Sequence, residues 1–517
     1  MCSSIIINSY FYLFGLKMWQ DILTGAGVGL LSVFVILKFI ERLRLPPGPW
    51  ALPFWGNYRG FNGAMIYKRM VEYYKPKYGN LVTLFWGNTP IVFINDYKLA
   101  IEALGNKNGK HLAGRKSVQT EDIVSEERHN IFGNNYGPLW KEMIRALKLG
   151  VSKCGLTPSL EKNIQKSINF YCDELIRNPD NSGKGVFPFD ESYWLSDNTV
   201  LSIVIGRTFT LEDEDYIILQ DSRRQVFDIM DKSEFVNWIP FGRYLPLKCI
   251  RRLFEQSTKL NNLLAKFVSD ARKMGRYRNN PDNIIEYLLQ ETENSKLVTE
   301  KKVNLNDVHI RQIFKDILFA SYEGIGMTNI WYMALLGLHP QIQERIRLDI
   351  TKLCSKKKDS TPKFEWKNEL PYIQAVEYEF FRFSSIVGIL DFHCALKSVT
   401  LGGYHIPKGC LIAVNQYAIN HDAERWENPE TIKPERFLDS SGAFTDRSDL
   451  MPFGMGVRMC PGTSITKGYG FLLLCNLCLN YKIKWSSENE FTELVDDPEN
   501  AVLFRFPKDY LLNISKV

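Results

Sequence analysis

Eleven consecutive residues, Pro452-Phe453-Gly454-Met455-Gly456-Val457-Arg458-Met459-Cys460-Pro461-Gly462, constrain this chain more than any other stretch. They place one cysteine in a glycine-rich loop, a cation two residues before it and an apolar, helix-like run after it. Gly454, Gly456 and Gly462 let the backbone turn tightly and come close to something flat. Backbone N–H groups around Cys460, with the N-terminus of a helix starting near Thr463, would stabilise a thiolate. Arg458 presents a planar, permanently charged fork that suits a carboxylate. The plain alternative is a buried apolar cysteine in an ordinary loop, the usual fate of a lone Cys.

The chain has room for a large fold around such a site. With 517 residues, 45% hydrophobic and 13% aromatic, it can build a sizeable core and does not read as disordered. A net charge of +6 is too weak over this length to argue for nucleic acid, and no nucleic-acid module appears in the sequence. Ten cysteines lie scattered without a secreted framework, which fits reduced thiols in a cytosol-facing domain. Cys475 and Cys478 form a C-x-x-C. Inside the apolar run from Gly470 to Leu479, however, they read as two small core hydrophobes rather than a redox pair.

Ile22 to Leu37 is almost wholly apolar, and with Phe39 and Ile40 it reaches the ~20 residues needed to cross a bilayer. Lys38, Arg42 and Arg44 follow it, so the basic flank stays cytoplasmic and the N-terminus faces the lumen. A cleaved signal peptide is the rival, but the segment is long and no small-x-small site ends it. Ile5 to Ile7 and Tyr10 to Leu16 add a second apolar patch, and Met18 is an alternative start to Met1. Pro46, Pro47, Pro49 and Pro53 then stiffen an extended joint. Residues 1–44 are thus expected to be an anchor, 45–57 a proline-rich hinge and 58–517 the globular domain.

Within that domain, Tyr78 to Trp86 and Ile91 to Asn95 read as strands around a turn, and Tyr97 to Leu104 as a helix. Asn106 to Asn135 reads as a long polar loop. Helices are expected from Tyr136 to Arg145, over Asn198 to Thr208, Phe227 to Pro246 and Leu253 to Arg272, and from Val308 to Leu338, the last stopped by His339-Pro340. Glu379 and Arg382 stand at i, i+3 on one helical face and can pair. Leu401 to Gly409 reads as a hairpin.

Phe453, Gly456, Arg458, Cys460 and Gly462 match, position for position, F-x-x-G-x-R-x-C-x-G, the haem-binding signature of the cytochromes P450. The chain resembles that family over about its whole length. The resemblance implies a mainly α fold with a minor β region, the cytochrome P450 fold, preceded by one N-terminal transmembrane helix. It implies haem b, with Cys460 the axial ligand to the iron. It also implies an endoplasmic-reticulum membrane protein with a cytosolic catalytic domain, the proline-rich stretch resembling the hinge of such enzymes. The aromatic-rich helices resemble the roof of the animal drug-metabolising and steroid-hydroxylating group.

Other residues acquire expected roles from the same resemblance. Trp140 and an arginine four residues on would contact a haem propionate. Here that position is Ile144, so Arg145 stands for the second arginine some relatives carry, about 100° further around the helix. His393 occupies the position of the propionate-binding His or Arg, and Val387, Gly388, Ile389 and Leu390 would face substrate. Glu379, Arg382 and Arg436 would form a buried brace. The family's acid–threonine pair falls on Glu323 and Gly324: the acid is present and the threonine is not. Thr328 would need a four-residue shift against His339-Pro340 and does not replace it. The missing threonine and Arg382 to Val387 resemble the arthropod P450s of early ecdysteroid synthesis.

Three functions follow. The first is a monooxygenase that inserts one atom of dioxygen into a hydrophobic small molecule, a sterol being favoured. NADPH-cytochrome P450 reductase supplies its electrons, with cytochrome b5 as an optional second donor. Lys141, Arg145 and Lys148 offer a basic patch for an acidic reductase, although a solvated helix face explains them almost as well. The second, motivated by Gly324, is a peroxide rearrangement, lyase or dehydratase step that needs no reductase. The third is a non-catalytic haem protein that binds a hydrophobic ligand.

Overall fold

The apolar period of residues 308–338 becomes a 32-residue helix, Asp307–Leu338. Asn306 caps it: its side chain accepts the His309 N–H while the His309 ring accepts the Asn306 N–H, both at 3.1 Å. Every residue from Ile325 to Gly337 is buried. A helix apolar on all sides belongs in an interior, and this one is the spine on which Phe189–Val204 and Lys248–Met274 pack. At His339 the chain turns, and Pro340 opens the next helix, Pro340–Lys357, at a position where its missing N–H costs nothing.

This arrangement comes from a computed structural model. It describes residues 24–26, 29, 32–33, 36–37, 39–40, 42–52, 55–57, 65–105, 107–177, 185–239, 241–296, 304–447, 449–497 and 504–517. Among these, no helix is long and apolar enough to cross a membrane. The expected span from Ile22 lies about half outside the described residues, and the second apolar patch lies wholly outside them.

The minor β region is a four-stranded sheet in the order β1 (Leu81–Trp86), β2 (Thr89–Ile94), β6 (Leu411–Val414), β3 (His393–Cys394). β1 and β2 are antiparallel, β2 and β6 parallel, and His393 of β3 pairs with Ile412. β4 (Val399–Leu401) with β5 (Tyr404–Ile406), and β7 (Tyr481–Trp485) with β8 (Leu512–Lys516), form two further pairs. The proline-rich segment is fastened to this sheet. Thr83 gives its N–H to Pro47 O at 2.9 Å and its hydroxyl to Pro46 O at 2.8 Å, while Arg42 bonds the carbonyls of Pro46 and Gly48.

Behind the cysteine loop, Pro371–Ser384 carries the expected Glu379 and Arg382, both without solvent exposure. Arg382 holds Glu379 with two bonds of 2.8 and 2.9 Å and spends its remaining donors on Asn420 O and Thr431 O. Arg436 reaches Glu379 at 3.3 Å, and the Lys433 N–H reaches it at 2.8 Å. Every polar group of this pair has a partner, which makes such burial tolerable. Cys475 and Cys478 are free, buried thiols in the helix Thr463–Asn480.

Three expectations change. The helix expected over Phe227 to Pro246 ends at Lys232; beyond it lie only 3-10 turns, Glu234–Trp238 and Gly242–Tyr244. Phe241 takes a positive φ of 60°, so the backbone cannot continue as a helix. The polar loop of 106–135 holds a short helix, Gln119–Val124. Between Ser385 and His393 only His393 enters a strand, β3, while Val387 and Ile389 make isolated bridges to Phe504 and Asn415.

Arg382→Ala leaves Glu379 as a buried charge without its main partner and should cost about 3–5 kcal/mol. The denaturant midpoint reads this directly, and a loss below about 1 kcal/mol would contradict the bracing role.

Candidate active site

A cavity of about 600 Å³ lies between the spine helix and the cysteine loop. Its floor is Phe453, Gly454, Cys460 and Gly462, and one wall is Ala320, Glu323 and Gly324 of the spine. The rim comes from the 113–135 segment, and the last side from the extended segment after Pro371–Ser384.

The floor loop is set by close backbone contacts. Gly456 has φ +71°, and a Cβ there would lie 2.1 Å from Leu104 O, so only glycine fits. The Cys460 N–H bonds Phe453 O at 3.0 Å, and the Phe453 ring meets Phe381 edge-on at 5.3 Å. Burial pushes the Cys460 thiol up, and the Gly462 N–H at the start of Thr463–Asn480 draws it back in part. A positive ion above the sulfur would reverse that balance, because a coordinated thiol gives up its proton.

Arg458 crosses the rim. Its guanidinium donates to Ala113 O at 2.8 and 3.0 Å, Ile131 O at 3.1 Å and Asn134 O at 2.5 Å. It lies over the Trp140 ring, 4.4 Å from the centroid, and the Trp140 indole N–H also bonds Ile131 O. Arg115 and Arg128 line the same rim. Among the described residues none of these three arginines has a carboxylate within ion-pair distance. Burial, followed by repulsion from Arg115 and Arg128, lowers Arg458 to about 9. His393 is buried beside them, with Nδ1 2.9 Å from Leu112 O. Its burial, then Arg115, push it well below the usual histidine range, so the ring is neutral.

Not every expected residue comes to the cavity. Arg145 does not: its guanidinium pairs with Glu142 at 2.8 Å and Glu291 at 2.6 Å, in a half-exposed position. The neighbouring Ile144 lines the cavity instead, as the one-residue rotation of the helix requires. The basic patch is correspondingly weaker, with Arg145 neutralised and Lys141 lying over Tyr136. Val387 and Leu390 line the cavity as expected, but Ile389 is fully buried among the strands and Gly388 O takes the Tyr417 N–H.

Glu323 and Gly324 both face the cavity. Burial, then the charge of Asp391, pushes Glu323 up to about 8. Thr328, one turn on, also lines the cavity, and its hydroxyl donates to Gly324 O at 2.8 Å. An added Cβ at Gly324 meets nothing within 4 Å, whereas one at Gly326 would lie 2.6 Å from the Tyr193 ring. The two glycines therefore differ: Gly326 admits a packed ring, and Gly324 leaves open space. Asp391 and Glu121 are cavity residues that sequence reasoning did not single out. The available signal was an acid inside the otherwise apolar Val387 to Phe392.

Sequence comparison decides the family: the profile described as Cytochrome P450 matches residues 46–513. The chain belongs to the cytochrome P450 family. Curated relatives include Cytochrome P450 1A3 of Oncorhynchus mykiss, 27% identical over 87% of this chain and 88% of that protein. Cytochrome P450 1A1 of Limanda limanda is 28% identical (86% and 87% covered), and that of Rattus norvegicus is 26% identical (84% of each). As a cytochrome P450 the chain is a haem-thiolate monooxygenase, its cofactor a haem whose iron takes a cysteine thiolate. The residues fit that group: Cys460 lines the cavity, and three arginines that also line it have no carboxylate at ion-pair distance among the described residues.

The two spine glycines should answer differently to alanine. Gly324→Ala should stabilise by up to about 1 kcal/mol, while Gly326→Ala should destabilise by about 1–3 kcal/mol; the reverse order in thermal or urea melts would contradict the cavity wall. Glu323 binds its proton more tightly folded than unfolded. The relative stability it confers is complete below its ordinary value of 4.5 and is lost as pH rises through about 8. Glu323→Gln should flatten that decline in urea midpoints taken across the range, and parallel profiles for the two proteins would refute it.

Proposed function

We propose that this P450 is a membrane-anchored monooxygenase of the endoplasmic reticulum, organised as anchor (1–44), hinge (45–57) and cytosolic catalytic domain (58–517). It would insert one oxygen atom into a hydrophobic small molecule, a sterol being the favoured class. NADPH-cytochrome P450 reductase would deliver the electrons, with cytochrome b5 as an optional second donor. The observation that supports the reading is one cavity lined both by Cys460 and by three arginines, Arg115, Arg128 and Arg458, without a carboxylate at ion-pair distance among the described residues. Haem, when bound, supplies the reductive activation and cleavage of dioxygen.

The chain's own residues do the rest. Cys460 would hold the iron, with Phe453, Gly456 and Gly462 shaping the loop and the Gly462 N–H supporting negative charge on sulfur. Arg458, with Trp140 stacked beneath it and His393 nearby, would receive propionates at the rim. Arg145, paired elsewhere, has no part in this. Leu390, Val387 and Ile325 give substrate an apolar surface that excludes water. Glu323 can hold a proton at neutral pH and release it to the cavity, because its burial brings its pKa close to that range.

A second reading draws on Gly324. The turn facing the cavity offers no free hydroxyl, since Thr328 donates to Gly324 O, and this suits rearrangement of a peroxide or a lyase or dehydratase step without a reductase. A third, a non-catalytic carrier of a hydrophobic ligand, predicts a ligand-induced spectral shift and no product.

The reduced, carbon monoxide-bound spectrum of the wild type should show the thiolate-type band, and Cys460→Ala should abolish it. Survival of the band in that variant would overturn the assignment of the ligand. Turnover with NADPH and reductase, against turnover with a lipid hydroperoxide alone, separates the first two readings.

A further inference from the structure

Most polar groups on the cavity wall are satisfied by the protein. Asp316 accepts the Ile131 N–H at 2.7 Å, the Phe132 N–H at 3.1 Å and Asn130 Nδ2 at 2.8 Å. Lys315 donates to Val124 O at 2.6 Å. Gln416 Nε2 donates to Met451 O at 3.0 Å, while its Oε1, like Gln312 Oε1 and Ser384 Oγ, has no partner among the described residues. Three carboxylates stand apart. Among the described residues, the side chains of Asp391, Glu121 and Glu323 receive no hydrogen bond and no ion pair from the protein.

Asp391 is central to the three. It is half-buried and lines the cavity. Its charge is the one that both Glu121 and Glu323 feel most. Burial pushes Asp391 up, and burial followed by Asp391 raises Glu121 to about 7. Arg115 draws Asp391 part of the way down. However, it does not reach ion-pair distance, and its donors go to Phe392 O at 3.0 Å and Phe132 O at 3.2 Å. A carboxylate without donors in an enclosed, mainly apolar cavity is costly, and buried polar groups are rarely left so. A molecule that fills the cavity can supply such a donor in place of water.

We propose that Asp391 anchors a hydrogen-bond-donating group, a hydroxyl or a protonated amine, carried by an otherwise apolar substrate. The inference rests on the monooxygenase reading for what the cavity is used for, and adds which end of the substrate it recognises. Leu390, beside Asp391, supplies apolar contact, so one segment of chain presents both kinds of recognition. Glu121 and Glu323 on the same cavity favour a donor further, because each unionised or ionised acid can accept from it.

The test uses the full-length, haem-loaded protein and three probes of one shape: adamantane, 1-adamantanol and 1-adamantylamine. Calorimetry measures their affinities for wild type, Asp391→Leu and Asp391→Asn, and the visible spectrum separately reports any ligation of iron by the amine. In Asp391→Leu both donor-bearing probes should weaken by roughly tenfold or more while adamantane stays within about twofold. If the group recognised is a cation, Asp391→Asn weakens the amine as much as Asp391→Leu does. If it is a hydroxyl, Asp391→Asn restores a good part of the alcohol's affinity. Donor-probe affinities within about twofold of wild type in both variants would overturn the proposal. Absence of the thiolate-type band in the wild type would instead sink the monooxygenase reading, and the calorimetric comparison would still decide the role of Asp391.

Discussion

Removing charge from water is the constraint on which this structure turns, since each buried ion must find its own compensation. The chain solves it in two ways. Glu379, Arg382 and Arg436 compensate one another, and their spare donors reach the carbonyls of the 420–431 stretch. The Arg223–Asp197 pair, at 2.6 Å, does the same under the roof helices. At the cavity the solution is different: the guanidiniums of Arg115, Arg128 and Arg458 donate to backbone carbonyls, and the side chains of Asp391, Glu121 and Glu323 receive no hydrogen bond or ion pair among the described residues. Compensated charge braces the fold, and the charges without such partners line the cavity.

The two kinds of charge are physically connected. The helix Pro371–Ser384 carries the brace, and Phe381 on the same helix packs edge-on against Phe453 of the cysteine loop. Immediately after that helix, Ser385 takes a positive φ of 39° and its hydroxyl returns to Arg382 O. The chain is thereby turned into the extended segment that lines the cavity with Val387, Leu390, Asp391 and His393. The floor, the brace and one wall are therefore one continuous piece of chain and its contacts.

The spine helix contributes the opposite wall. Gly326 is required by the Tyr193 ring, which is itself stacked on Tyr322 at 4.0 Å. Gly324 is required by nothing in the packing and leaves the cavity wider at the turn where the family has a hydroxyl. Glu323 is left as the ionisable group of that turn, and its raised pKa follows from burial and from a carboxylate on the facing segment.

The cysteine loop, the E-x-x-R pair and the long apolar helix were legible in the sequence because each rests on local rules. Glycine is needed where φ is positive, i and i+3 share a helical face, and an unbroken apolar run must be buried. The same rules could not say that Arg145 would meet Glu291, 146 residues away, or that Ile389 would turn into the strands while Asp391 faced the cavity. The helix expected through Phe227 to Pro246 failed for a related reason, since its aromatic pattern did not reveal the positive φ at Phe241. The sequence alone determined the thiol, its loop and the scaffold that braces it, because those depend on neighbours in the chain. Only the tertiary structure decided which charges are compensated and which face the cavity. Desolvation and pairing depend on groups brought together from distant parts of the chain, and no local pattern encodes that distance.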